Sequence, residues 1–333
     1  MPELVERTRA AHDVVCGGFL GWDALAALQR LGVNAGALGG NPIHRLRLVA
    51  AERQVEVKLP GAAMGLSRRT LDAALLSAAS SAGAIVTRGR AARTVDPEAR
   101  CMRLDDGEEI GADALFLATG KHDLRGAARP LEHRSEQPSV GLRTALPASS
   151  QLQASLSGTI ELHLFDKGYA GLLLQEDGTA NLCLSVGRGR LSRAGSIAKL
   201  VAELGSEAPL LGARISGGLW QTIAGVPYGW KTRDTVPGLF RLGDQSAVIA
   251  SLAGDGVAIA LESGAEAAYA FLRHGPQGAQ AYQKAFARRS ALPLTIADAL
   301  RHAAENGRSR TVLMRLAAVP GLARLAAKLT RIE

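Results

Sequence analysis

The chain has 333 residues, of which 47% are hydrophobic and 21% charged. With a mean hydropathy of +0.06, it can bury one large core or two modest ones, which excludes a disordered polymer. The net charge of +8 comes mostly from arginines spread over the whole length, with 4% aromatics and no basic run interleaved with them; no nucleic-acid partner is expected, although such a surface attracts anionic cofactors or lipid headgroups.

No run of about eighteen uncharged apolar residues occurs, and charges recur from the first residues onward, which argues against a spanning helix and a secretory signal. A cytoplasmic protein is expected. Cys16, Cys101 and Cys183 are odd in number, widely spaced and outside any CxxC or histidine cluster. Reduced thiols are therefore expected, with neither a disulfide framework nor a metal site.

In chain order, Asp23 to Leu31 sets Ala24, Leu25, Leu28 and Leu31 at helical spacing before Gly32, which predicts a helix with a glycine stop. The stretches HRLRLVA and QVEVKLP alternate polar and apolar residues around a short polar turn and predict a hairpin. Ser67 is placed to cap a helix in which Leu71, Leu75 and Ala79 share a face; Gly83 ends it and AIVT follows as a strand. Asp105, Asp106 and Gly107 spell a hairpin turn, and the apolar run ALFLATG from Ala114 to Gly120 predicts a strand buried on both faces, as in parallel sheets.

From Gly141 to about Trp230 the pattern changes. TIELHLF, GLLLQ and ANLCLSV are short strands, with a turn at Glu176 to Thr179, so an antiparallel block is inserted into an α/β frame. After Pro237 a strand returns at GLFRLGD, and GDGVAIALESGAEAAYAFLRHG reads as a long helix with small residues on one face, followed by helices to the end.

The most informative stretch is GLFRLGDQSAVIASLAGDGVAIALESGAEAA, where a strand ends at Gly243 and Asp244 and a helix begins near Gly254, Asp255 and Gly256. An acidic side chain at a strand end can accept hydrogen bonds from hydroxyls, and glycines let backbone amides and a helix N-terminus approach a ring or a phosphate. This stretch resembles the second FAD motif of the geranylgeranyl reductase and para-hydroxybenzoate-hydroxylase-like (aromatic-ring hydroxylase) group of FAD-dependent oxidoreductases. The resemblance covers about residues 1 to 270. It implies a ribityl or pyrophosphate-side contact at Asp244, beside Gly243, and backbone contacts to the isoalloxazine ring at Gly254, Gly256 and Val257. The group usually has prolines where Ala250 and Ser251 stand, so a less rigid loop is expected here.

The opening stretch, LVERTRAAHDVVCGGFLGWDALAALQRLG, is similar to the group's segment in which a strand ends in Glu-Arg and a Cys-Gly-Gly turn precedes a helix. The resemblance implies an adenosine-ribose contact at Glu6, with Arg7 beside it, and a close approach of the flavin at Cys16, Gly17 and Gly18. As bare residues these also suit a surface ion pair and an ordinary turn. Arg68 and Asp72 match an Arg and an Asp of the group, which makes Arg68 a candidate for the pyrophosphate, since a guanidinium suits bidentate phosphate contact; a solvated arginine is the plain alternative. Thr119 and Gly120 match the strand end that passes the adenosine. Tyr169, Trp220, Tyr228 and Trp230 are candidates for a substrate wall over the flavin, and equally for lobe packing.

A dinucleotide fold opens with a strand, a GxGxxG turn and a helix, with the acidic residue roughly 20 residues after the glycines. Glu6 has five residues ahead of it, so the FAD lobe is expected to be N-terminally incomplete. The one imitation, Gly187-x-Gly189 after a strand, has Ser192 where the third glycine belongs, and is expected to be a hinge.

The expected fold class is α/β (α+β): a Rossmann-like FAD-binding lobe, an inserted antiparallel β-sheet substrate lobe and C-terminal helices. The expected division gives the FAD lobe 1–40, 65–135 and 236–275, the substrate lobe 41–64 and 136–235, and the helical region 276–333. The resemblance implies FAD as cofactor, NAD(P)H as transient electron donor or else a protein donor, and a hydrophobic small-molecule substrate. Three functions stay open: reduction of an alkene in an isoprenoid or polyketide-like substrate, hydroxylation of an aromatic or polyketide ring, and a relic unable to hold FAD. The Cys-Gly-Gly turn favours the first. No His, Asp or Glu constellation assigns a general acid or base. The basic, apolar stretch RTVLMRLAAVPGLARLAAKLTRIE suits weak contact with a membrane surface, or a core-packed terminal helix.

Overall fold

A computed structural model describes residues 1–130, 138–215 and 218–332. In chain order the elements are β1 (Glu3–Glu6), β2 (Phe19–Leu20), α1 (Trp22–Arg30), β3 (Asn41–Ala50), β4 (Arg53–Gly65), α2 (Arg68–Ser81) and β5 (Ile85–Arg88). Three strands β6 (Ala92–Asp96), β7 (Cys101–Leu104) and β8 (Glu109–Gly111) form a small meander, and β9 (Leu115–Leu117) follows. Next come β10 (Ser139–Leu146), α3 (Ser150–Leu156), β11 (Gly158–Phe165), β12 (Gly168–Leu174), β13 (Ala180–Gly187), α4 (Arg188–Ala194), α5 (Ile197–Glu207), α6 (Pro209–Gly212) and β14 (Gln221–Val226). The chain closes with β15 (Leu239–Arg241), α7 (Gly256–His274), α8 (Gly278–Glu305), α9 (Gly307–Ala317) and α10 (Leu322–Leu329). Among the described residues no helix is long and apolar enough to cross a membrane.

Local chemistry fixes many of these boundaries. The Ser67 hydroxyl accepts from the Thr70 amide and caps α2. Asp105 to Gly107 turn β7 into β8, with Gly107 at φ +90°. The strands from β10 to β13 are the expected antiparallel block, but they belong to a larger sheet of order β14-β10-β13-β12-β11-β3-β4-β2, in which β11 runs parallel to β3. The hairpin β3–β4 is therefore continuous with the inserted block. The boundary expected between residues 135 and 136 lies outside the described residues.

The large sheet has two unlike faces. Leu142, Leu146, Leu172, Leu174, Leu182, Leu184 and Val186 point to the rear, where Leu200, Leu204 and Leu211 of α5 and α6 close a core. Gly141, Arg143, Gly171, Cys183, Ser185 and Tyr169 pair across the strands on the opposite, front face. A second core joins β15 to α7 and α8 through Phe240, Ile259, Tyr282 and Phe286.

The β9 strand departs from expectation. Phe116 stacks on Phe240 at a centroid distance of 4.9 Å, yet it remains 40% exposed between the buried Leu115 and Leu117. The reason is topological: β9 pairs with β15 and β1 pairs with β5, each pair parallel and each a separate two-stranded sheet among the described residues. Phe271 of α7 meets Phe116 edge-on at 5.7 Å, but no strand pairs with the other edge of β9 among the described residues, and that side of the ring stays open.

Behind the sheet lies a buried ionic cluster. Glu161, fully buried, accepts from Arg47 at 2.6 Å and Arg214 at 3.0 Å, with His163 at 3.0 Å. Burial alone would raise its pKa, but His163 and Arg214 pull it down to about 2. Glu161→Gln is expected to destabilise the protein by about 3 kcal/mol, because it leaves two guanidinium groups without their shared partner; urea unfolding at neutral pH measures this. The depressed pKa contributes stability that is present above pH about 4.5 and lost as the pH falls towards about 2. Unfolding midpoints followed down that window are expected to drop in the parent and to flatten in the variant.

Candidate functional site

The front face of the sheet is crossed by two loops. Residues 13 to 18 run over β14, β10 and β13: Asp13 pairs with Arg143 at 3.0 Å, and the carbonyls of Cys16 and Gly17 accept from the Asn181 amide at 2.9 and 2.8 Å. The second loop, between β15 and α7, brings Ser251 to 2.6 Å from the Tyr169 hydroxyl and 2.8 Å from that of Tyr228. The Leu252 amide also donates to Tyr169, at 3.2 Å, and Tyr228 donates to Ser185 at 3.2 Å. A less rigid loop was expected at Ala250 and Ser251; Ser251 is held there by the two tyrosine hydroxyls.

Between the loops the face stays open. Gly171 and Cys183 sit opposite each other and are the partly exposed residues in the middle of two otherwise buried strands. Cys183 is within electrostatic reach of Cys16, Lys121 and Arg143. Burial first, and the Cys16 thiol second, push its pKa up to about 12, so it keeps its proton at neutral pH. Burial likewise raises the Tyr169 hydroxyl, with Tyr228 reinforcing the shift.

One end of the cleft is a polar knot that ties the β9 end to the 3₁₀ turn Gly243–Gln245. Lys121, next after the Thr119-Gly120 pair, sits 3.0 Å from the Asp244 carboxylate. Burial would strip the ammonium of its proton, but Asp244 raises its pKa instead. Buried Arg129 donates to the Asp244 carbonyl at 2.9 Å and the Lys121 carbonyl at 2.6 Å, and holds Asp123 at 2.8 Å. The Gln245 amide, fully buried, donates to the Gly120 and His122 carbonyls at 2.8 and 2.9 Å. The Thr119 hydroxyl donates to the same His122 carbonyl at 2.7 Å. The backbone favours glycine here: Gly120 and Gly243 adopt the left-handed φ values +61° and +52°.

The expected cofactor residues fall into four places. Gly243, Asp244, Thr119 and Gly120 meet in the knot. Gly254, Gly256 and Val257 form the start of α7, whose first turn has no side-chain cap. Asp255 sits there fully buried, accepting from Arg331 at 2.7 Å; burial and the neighbouring Asp23 push its carboxyl up to about 8, against the pull of Arg331. Cys16 and Gly17 stand between these places, and Arg68 reaches Cys16 while its guanidinium grips Asp72 at 2.8 and 2.9 Å. Glu6 ends β1, where Oε1 accepts from the Thr8 amide and hydroxyl at 2.8 and 2.6 Å. Arg7 reaches His122 at 3.3 Å, which sets the β1 end beside the β9 end.

Of the four aromatics, Tyr169 and Tyr228 share the hydroxyl cluster. Trp230 is buried nearby with Val226 and Val248, its indole donating to the Gln245 carbonyl at 3.1 Å. Trp220 is separate, packed on the rear core beside Leu191 and Ile215. Lys121, Arg129, Gln245, Gly171, Cys183 and Ser185 belong to the site without having been singled out for it. A signal existed in ANLCLSV, whose Asn181, Cys183 and Ser185 alternate with Leu182, Leu184 and Val186.

No family model matches the chain, and no curated protein matches its sequence. Solved structures do. A geranylgeranyl bacteriochlorophyll reductase-like protein from Thermoplasma acidophilum superposes with a TM-score of 0.77 at 16% identity, covering 97% of this chain and 87% of that one. PqsL, a probable FAD-dependent monooxygenase from Pseudomonas aeruginosa, gives 0.69 at 17% identity, with 94% and 92% covered. The flavin-dependent brominase Bmp2 gives 0.71 at 14% identity, with 96% and 87% covered. The chain therefore has the mixed α/β fold of these flavin-dependent proteins, which are themselves named for different reactions.

Cys183 is expected to be the slowest of the three thiols to react with iodoacetamide at mildly alkaline pH, because almost none of it is ionised there. Peptide mass spectrometry over a time course measures the order; early labelling of Cys183 would contradict the protonated thiol.

Proposed function

We propose that this chain is an FAD-dependent oxidoreductase that reduces an alkene of a hydrophobic isoprenoid or polyketide-like substrate. The carrying observation is the open cleft on the front of the sheet, where the partly exposed Gly171 and Cys183 lie opposite each other between the Cys16–Gly17 loop and the loop before α7. Saturating a carbon–carbon double bond consumes a hydride and a proton, and that proton would come from solvent at the open face, since the Cys183 thiol, its pKa raised to about 12, gives its proton up poorly.

The residues fit a flavin. A Cβ at Gly17 or Gly256 would meet nothing within 4 Å, so open space lies beside the first loop and at the start of α7. There the uncapped amides and the positive end of the helix suit an electron-rich ring edge. Asp244 is placed to accept from ribityl hydroxyls, with Lys121 and Arg129 fixing its position, and Arg68 is the candidate for a phosphate. When bound, FAD supplies the two-electron chemistry. The chain's own residues bind and orient: Tyr169, Tyr228 and Trp230 form a wall on one side of the substrate, and the small residues Gly171 and Cys183 leave it room. Electrons would come from NAD(P)H bound transiently or from a protein donor. Ring hydroxylation by the same frame is the second reading, and the fold shared with PqsL favours it.

The finer architecture follows the same proposal. Segments 1–40, 65–135 and 236–275 would form the FAD lobe, with the large sheet as substrate lobe. A further parallel strand, with its glycine turn, would fill the place between β1 and β9. The supports are the two separate parallel pairs, the contact between Arg7 and His122, and the exposure of Phe116 at 40% and Ile85 at 46%.

The absorbance spectrum of the purified chain with added FAD tests the cofactor. A protein-bound flavin band is expected. Asp244→Ala is expected to weaken flavin binding about tenfold or more, the scale of a hydrogen bond to a charged group. Absence of any bound flavin would make the chain a relic and end the oxidoreductase reading.

A further inference from the structure

The tail of the fold turns its surface inside out. In α10 the leucines Leu322, Leu325 and Leu329 lie along one stripe and are 41%, 52% and 41% exposed, while Ala323, Ala326 and Ala327 face the protein. A helix packed only to complete a core has the reverse order. The stripe continues backwards through Val319 in the turn, at 45%, to Leu316 and Val312 of α9, at 49% and 52%. The inner face of α9 is already committed: Leu313, Met314 and Ala317, with Ala323, pack on Leu48, Leu162 and Leu164 of the sheet. The outer leucines and valines are therefore surplus to that core.

The charges on this surface have one sign. Between Asn306 and Ile332 there are six basic residues and no acidic one. Arg331 is used inside, against Asp255. Arg308, Arg315, Arg324 and Lys328 are exposed, and none of the four is ion-paired among the described residues. Lys328 and Arg324 flank the leucine stripe of α10 on one side, one helical turn apart. An apolar stripe with a basic flank is the surface that lies in the headgroup region of a bilayer, leucines among the acyl chains and cations at the phosphates. A second copy of the chain is the poorer occupant, because a two-fold interface through this face would bring like charges together.

We propose that α9 and α10 form an interfacial docking face for an anionic membrane, on which the protein sits peripherally. The proposal stands apart from the flavin reading, since it depends on neither the cleft nor its cofactor. Such a face would also bring the protein to the phase in which a hydrophobic substrate collects.

Co-sedimentation of the full chain with vesicles tests it. Binding is expected to vesicles of phosphatidylcholine mixed with phosphatidylglycerol, weaker binding to phosphatidylcholine alone, and release as salt is raised. Replacing Leu322, Leu325 and Leu329 together by serine is expected to lower partitioning about tenfold or more. Arg324→Gln with Lys328→Gln is expected to lower it about fivefold for each charge removed. These side chains are outside the core, so circular-dichroism melting of both variants is expected to match the parent. Binding to neither vesicle type, or equal binding by parent and both variants, would overturn the proposal. So would a concentration-dependent dimer in sedimentation velocity that the serine variant abolishes without any vesicle binding.

Discussion

Strands β12 and β13 must satisfy two different partners with alternate residues, and the rest of the molecule is arranged around that constraint. Towards the rear they present Leu172, Leu174, Leu182, Leu184 and Val186 to the helices α4 to α6. Towards the front they present Gly171, Cys183 and Ser185 to loops that approach from both ends of the chain. A slip of one residue in either strand would bury the small polar set and expose the leucines, so the rear core holds the register that keeps the front face open. Gly65 shows how little slack there is: a side chain there would stand 2.2 Å from the Leu174 carbonyl.

On the front, order comes from polar links rather than from apolar packing. Gln245, Arg129 and the Lys121–Asp244 pair join the β9 end to the turn before α7, and each link ends on a backbone carbonyl or a carboxylate. In such a low-dielectric setting a satisfied network is rigid, and an unpaired member is costly. Ser251 makes the same point by another route. The hydroxyls of Tyr169 and Tyr228 hold the loop where a rigid ring would otherwise be needed, so a change of residue type is compensated by partners distant in sequence.

The tail couples these parts. Arg331 inserts beside Asp255 at the start of α7 and lies 4.5 Å over the Trp22 ring, so the end of α10 is fastened to the glycine loop and to α1 together. That anchorage fixes which side of α10 faces inward, and hence why its leucines are left outward. On the proposed reading, one rigid unit carries both the cleft and the membrane-facing stripe.

Sequence alone determined the features that depend on near neighbours: the Ser67 cap, the Asp105 to Gly107 turn, the alternation in β13, and the strand, glycine loop and helix around Gly243 and Gly256. These arise within one or two turns of chain, where the residue's own hydrogen bonding and φ preference decide. Tertiary structure decided which partner each face meets. Trp220 falls on the rear because it precedes Gln221, whose side chain faces Asp13 and Arg143 at the front; no local signal fixes that parity. Phe116 is exposed because β9 pairs on one edge only among the described residues, while an apolar run in sequence reads the same whether or not a neighbour exists. The pairing of β11 with β3, the Lys121–Asp244 link and the Arg331–Asp255 link join residues 76 or more positions apart. Periodicity states that a face will be covered, but only chain closure through the whole fold selects what covers it.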